Sequence, residues 1–183
     1  MVAVPRLLKR YRENIVPEVQ NKFGIKNNMA VPRLTKVVIN MGVGEAIHDM
    51  KIMEAAVQDL TAITGQKPII RRAKKAISNF KLRKNLPVGC MVTLRRYRMY
   101  EFIDRFFNVC LPRIRDFNGV PVKSFDKQGN FNLGITEQTI FPEIDAGRLP
   151  RTQGMDIAFV FNQGTKEQNM EVLKLLGMPF RKS

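Results

Sequence analysis

The stretch Thr35-Lys36-Val37-Val38-Ile39-Asn40-Met41 decides the fold. Val37, Ile39 and Met41 alternate with Lys36, Val38 and Asn40, so a β-strand turns one set toward a core and the other outward. Further on, Val88, Cys90, Val92 and Leu94 alternate with Met91, Thr93 and Arg95 in the same way. Two half-buried strands with Lys36, Asn40, Thr93 and Arg95 on their outward side describe a sheet with one covered and one open face.

Around these strands the helical period takes over. Leu7, Leu8, Tyr11, Ile15 and Val19 form one apolar stripe, while Arg6, Lys9, Arg10 and Arg12 face elsewhere. Pro17 either kinks this helix or starts a second one. Met50, Met53, Val57, Leu60 and Ile63 mark another helix, with Asp49 as its N-cap and Gly65 as its stop. Phe102, Ile103, Phe106, Phe107 and Cys110 mark a third. Pro68 to Arg72 reads as a short edge strand, since proline cannot donate to a ladder. Residues 73–87 read as a long basic hairpin loop. Residues 112–154 read as mostly irregular, apart from a strand near Asn130 to Ile135. Met155, Ile157, Phe159 and Phe161 make a last strand, and a C-terminal helix runs from about Thr165 to Gly177. Without a repeat or linker, this order predicts one α+β domain over residues 1–183. It is a two-layer arrangement: a mostly antiparallel open sheet with helices on one face and a long basic loop.

Charge points to the partner. Between Asp59 and Glu101 lie 41 residues with no Asp or Glu and eleven Lys and Arg. The whole chain carries a formal net charge of +15, with a pI near 10.3. Like charges at that density repel unless an anion faces them, and the commonest such anion is a nucleic-acid backbone. Ile69, Ile70, Ile77, Phe80, Leu82 and Val88 interleave the basic run, which marks folded structure and not a disordered arm. In the loop, Lys74, Lys75, Lys81, Arg83 and Lys84 offer phosphate contacts, and Ser78 and Asn79 can bond to sugars. Phe80 has two readings: stacking on a base, or anchoring the loop beside Ile77 and Leu82, the favoured one.

Enzymatic and metal readings find little support. Gly42-Val43-Gly44 follows a strand and precedes a helix, but a dinucleotide fingerprint needs a third glycine where Ile47 stands. A nucleotide-dependent enzyme using that turn is the weaker alternative. His48 is the only histidine and reads as a cap or surface residue. With two separated cysteines, Cys90 and Cys110, the chain offers no metal-ligand set and no cofactor site, and both thiols are expected to be buried and reduced. Met50, Met53 and Met170 read as core-filling residues. No stretch has the length or apolarity of a membrane span.

Several blocks together resemble a known family. Val31-Pro-Arg-Leu, then Val38-Ile-Asn-Met-Gly-Val-Gly-Glu-Ala and Leu60-Thr-Ala-Ile-Thr-Gly-Gln-Lys-Pro, are similar to the universal large-subunit ribosomal protein family "L-five" in its bacterial form. Ala73-Lys-Lys-Ala-Ile-Ser-Asn-Phe-Lys-Leu-Arg, Leu111-Pro-Arg-Ile-Arg-Asp-Phe, Ile140-Phe-Pro-Glu-Ile and Pro179-Phe-Arg-Lys continue the match in order. The resemblance runs from about Tyr11 to Lys182. It departs at Arg71, where the family usually has Thr or Ser, and in the segment after Ile144.

The resemblance implies a non-enzymatic constituent of the cytoplasmic ribosome that binds 5S ribosomal RNA in the central protuberance. Asn40, Gln66 and Thr93 carry over as direct 5S contacts, and Asn40 and Thr93 already fall on the open face by alternation. Lys36, Lys67, Arg95 and the N-terminal Arg6 and Lys9 would add phosphate contacts. The 74–85 loop resembles the family's extension toward the elbow of the P-site transfer RNA. The 112–146 region, with Arg113, Arg115, Asp116 and Glu143, resembles the part that meets the small-subunit head through its protein thirteen. The 23S-type RNA and neighbouring 5S-associated ribosomal proteins complete the implied partners. The alternative is a basic RNA-binding module acting outside the ribosome.

Overall fold

A computed structural model describes residues 4–47, 49–145, 147 and 151–181. His48, expected as a cap or surface residue, lies outside the described residues. The five strands are β1 (Leu34–Gly42), β2 (Ile69–Arg72), β3 (Pro87–Leu94), β4 (Phe131–Ile135) and β5 (Met155–Phe161). They form one antiparallel open sheet in the order β2-β3-β1-β5-β4, so β2 is an edge strand, as Pro68 suggested. The helices are α1 (Arg6–Arg10), α2 (Val16–Phe23), α3 (Met50–Thr64), α4 (Arg96–Arg105) and α5 (Lys166–Leu175). The two-layer α+β class read from the sequence is the observed one.

Contacts divide the described chain into two compact units. The first comprises the residues up to Val37, Leu94–Leu133 and those from Ala158 onward. The second comprises Val38–Thr93 and Gly134–Ile157.

In the first unit, α1 passes through a π-helical turn, Tyr11–Ile15, into α2, where Pro17 sits in the opening turn. The helix continues past Pro17, although a proline offers no amide to the turn before it. Gly24 ends it at φ 65°, a left-handed conformation that favours glycine. Beneath lies an aromatic cluster. Phe159 has ring centroids 5.8 Å from Phe107, 6.3 Å from Phe106 and 6.2 Å from Phe131, and Phe102 stacks on Phe106 at 5.7 Å. Tilted and offset aromatic pairs of this kind each add roughly 0.5–1.5 kcal/mol beyond the area they bury. Thr165 closes a capping box with Gln168 at the start of α5.

In the second unit, Asp49 caps α3 by accepting from the Lys51 amide at 2.9 Å, and Gly65 ends the helix at φ 65°. Met53, Leu60 and Ile63 are fully buried. Met50 is not: it is 41% exposed at the first position of the helix. Val57 and Met170, the latter in the first unit, are half-buried and not fully core. Gly89 on β3 lies against β1 so closely that a Cβ would stand 2.5 Å from the Met41 carbonyl oxygen. Cys90 and Cys110 are both buried and free.

Candidate nucleic-acid interface

The second unit carries most of the predicted RNA-facing residues. On β1, Val37, Ile39 and Met41 are buried while Val38 and Asn40 stay half-buried on the opposite side. On β3, Cys90, Val92 and Leu94 are buried while Met91 and Thr93 are half-buried. The two strands are neighbours, so Asn40 and Thr93 belong to one surface. Gln66 joins them from the turn after α3. Its Nε2 donates to the Thr93 main-chain carbonyl at 3.3 Å, and the preceding Thr64 hydroxyl bonds to Leu60 and to the Gln66 carbonyl. Lys67, beside it, is exposed. Asn40, Gln66 and Thr93 thus come together from three separate segments, with Gln66 held by a bond its sequence position does not reveal.

The basic loop has a frame of its own. Ile77 and Leu82 exchange main-chain bonds at 2.9 and 3.1 Å around a tight turn at Ser78–Phe80, with Lys81 at φ 52°. Below this, Ala73 donates to Leu86 and accepts from Asn85, each at 2.9 Å, and Arg72 Nη1 donates to the Asn85 carbonyl. The hairpin expected from the sequence is therefore present, projecting Lys74, Lys75, Ser78, Asn79, Lys81, Arg83 and Lys84, all exposed. One expectation is overturned. Phe80 does not anchor the loop: it is 73% exposed, and Ile77 beside it is 44% exposed. The loop is braced through its main chain and has no core beneath its tip, which leaves the ring in solvent.

The glycine-rich turn after β1 is fastened to the Arg151–Gln153 segment. The Gly42 carbonyl accepts from Gln153 Nε2 at 2.9 Å, and Glu45 pairs with Arg151. Nearby, desolvation holds the Asp59 carboxyl above its ordinary value, opposed by a hydrogen bond with Gln138. Burial, with a smaller contribution from Asp59, pushes the Cys90 thiol up to about 11.

In the first unit, Lys36 is half-buried on β1, and Arg95 is exposed at the residue preceding α4. Lys9 is exposed. Arg6 is already engaged: its guanidinium makes a two-pronged contact with Asp104, Nε to Oδ2 at 2.6 Å and Nη2 to Oδ1 at 2.7 Å. The partners lie 98 positions apart, so no local pattern announces the pair. Arg113, Arg115 and Asp116 are exposed after α4, with Asp116 at φ 54° and Arg115 3.8 Å from its carboxylate. Glu143 is exposed in the second unit. No group of metal-ligating side chains occurs among the described residues, and none of their helices is long and apolar enough to cross a membrane.

Comparison with known proteins shows the family. The family model described as ribosomal protein L5 matches residues 27–83, and that of the ribosomal L5 family C-terminus matches residues 87–180. The "Large ribosomal subunit protein uL5" of Clostridium kluyveri (strain NBRC 12016) is 57% identical over 175 residues, covering 96% of this chain and 97% of its own. That of Clostridium tetani (strain Massachusetts / E88) is 54% identical over 177 residues, covering 97% and 98%. With both halves matched and relatives spanning nearly the full length, the chain belongs to the ribosomal protein L5 family, and is a structural, non-enzymatic constituent of the large ribosomal subunit.

Proposed function

We propose that this chain acts as one RNA-binding domain that holds 5S ribosomal RNA in the central protuberance through its open sheet face. Asn40, Gln66 and Thr93 contact the RNA directly in this reading, and Lys36, Lys67, Arg95 and Lys9 contact phosphates. The observation that carries it is the meeting of Asn40 and Thr93 on neighbouring strands with Gln66 tied to Thr93. Polar side chains fixed on a sheet can read base and sugar edges, whereas flexible lysines supply charge without sequence information. Arg6 contributes less than Lys9, since Asp104 occupies its fork.

The loop at residues 74–85 reaches the elbow of the P-site transfer RNA in the same reading, with Phe80 offered to a base or ribose at its tip. Arg113, Arg115, Asp116 and Glu143 face the small-subunit head and its protein thirteen. The 23S-type RNA and neighbouring 5S-associated proteins are the remaining partners.

The test is a salt series of binding to 5S RNA, with bulk transfer RNA and an unrelated duplex as competitors. A preference for 5S RNA by orders of magnitude that survives moderate salt is expected. Equal binding of all three, collapsing with salt, would leave only charge at work and favour a general RNA-binding module acting outside the ribosome.

A further inference from the structure

The first unit contains an open recess of about 940 Å³, of which the sheet-face reading uses only Arg95. Its rim is Arg12, Arg33, Arg95, Arg96, Tyr97 and Arg98. Leu8, Leu34, Met99 and Tyr100 lie below, and the Tyr11 hydroxyl is turned away to the Pro32 carbonyl at 2.9 Å. No carboxylate lines it. Among the described residues, none of the five guanidinium groups is in an ion pair.

Three local costs meet at this rim. Arg96 sits at φ 52°, where a side chain is strained and glycine is not. Arg95, Arg96 and Arg98 stand at the opening of α4, which has no acidic residue in its first turn and no side-chain cap, so their charges oppose the helix dipole. Five like charges around one hollow also repel each other. A stable chain that keeps all three costs in one place gains something from an anion bound there.

We infer that this recess is a second RNA contact, in which the five arginines hold backbone phosphates of an unpaired segment and the exposed Tyr97 ring stacks on one of its bases. Arginine suits this task, because its planar fork bonds two phosphate oxygens at once. Tyr97 is 40% exposed between Arg96 and Arg98, so a base laid on it would carry its phosphates into their reach. The inference rests on the reading that the chain binds RNA, and adds a site distinct from Asn40, Gln66 and Thr93.

The test uses the full chain, with 5S RNA and an unstructured oligonucleotide as probes. Arg96→Gly is the informative variant, since it removes a charge and relieves the strained backbone together. It should raise the melting temperature while weakening both RNAs roughly threefold to tenfold at moderate salt, and Arg98→Gln should do the same to binding. Each should flatten the log–log salt dependence by about one contact. Tyr97→Ala should weaken the oligonucleotide without changing that slope. Arg96→Lys should keep the wild-type salt slope while losing part of the affinity, because an ammonium cannot form the two-oxygen fork. Unchanged affinity and slope in Arg96→Gly and Arg98→Gln, with wild-type preference for 5S RNA intact, would overturn the recess and leave the sheet-face reading standing. Loss of 5S preference in the wild type, with the predicted slope changes present, would do the reverse. Absence of any RNA binding by the wild type would overturn both. Saturable binding of free ADP at micromolar concentration, with RNA binding unaltered in the variants, would reassign the recess to a soluble nucleotide.

Discussion

The side-chain amide of Gln66 donates to the main-chain carbonyl of Thr93 across 3.3 Å, tying the exit of α3 to strand β3. The bond uses only the Thr93 main chain, so the threonine hydroxyl keeps its own donor and acceptor. Thr93→Ala and Asn40→Ala should each weaken 5S binding by about 1 kcal/mol or more, the size of a lost interfacial hydrogen bond, with unfolding midpoints little changed. Gln66→Ala should lower both, since it removes an internal bond as well as a contact. Isothermal titration beside urea denaturation separates the two effects. Full affinity in both Asn40→Ala and Thr93→Ala would show that this face is not the platform.

Phe80 at the loop tip contributes nothing to the core in this arrangement. Phe80→Ala should shift stability by no more than about 0.5 kcal/mol, as expected of exposed positions, against about 3–5 kcal/mol for a buried phenylalanine. Joint replacement of Lys81, Arg83 and Lys84 by Ala should leave 5S affinity nearly intact and weaken transfer-RNA binding. A large loss of 5S affinity would contradict the division of labour between loop and sheet.

Gly89 is required by close approach and not by its dihedral angles. Gly89→Ala places a methyl 2.5 Å from the Met41 carbonyl oxygen, a main-chain atom held in the neighbouring strand. A destabilisation of about 1–3 kcal/mol is expected, in line with overpacked sites. Chemical denaturation monitored by circular dichroism reads it directly, and a neutral substitution would mean that the two strands separate at little cost.

Asp59 gives a pH dependence with a definite sign. Its folded-state value is raised, chiefly by desolvation, so the native chain holds the proton above the ordinary carboxylate range while the unfolded chain has released it. Stability from this group is therefore present at low pH and is lost as pH rises through the raised value. Asp59→Asn keeps the hydrogen-bonding capacity toward Gln138 without the charge. It should raise the urea midpoint at pH 7 and give a smaller gain near pH 4. An equal gain at both would show that burial of the charge is not the cause.

Much of this was legible before any coordinates. The two-residue alternation through Val37, Ile39 and Met41 placed β1 and its open side, because a strand has only two faces and an apolar set occupies one. Asp49 and Gly65 bounded α3 for equally local reasons: a side-chain acceptor for orphan amides, and a residue free to turn left-handed. The blocks that carried the family resemblance also needed no fold, only order along the chain.

Long-range proximity required the tertiary structure. No local rule brings Gln66 to the Thr93 carbonyl, Arg6 to Asp104 or Arg33 to the rim shared with Arg96. The sequence placed Phe80 between two apolar neighbours and suggested an inward ring, yet depth depends on what lies beneath, and nothing does. Hydrophobic period and capping chemistry act between residues a few positions apart, so the sequence determined the elements, the basic surface and the family. Which side chains meet, and which cations remain unpaired, depends on packing between distant segments, and only the folded chain decides it.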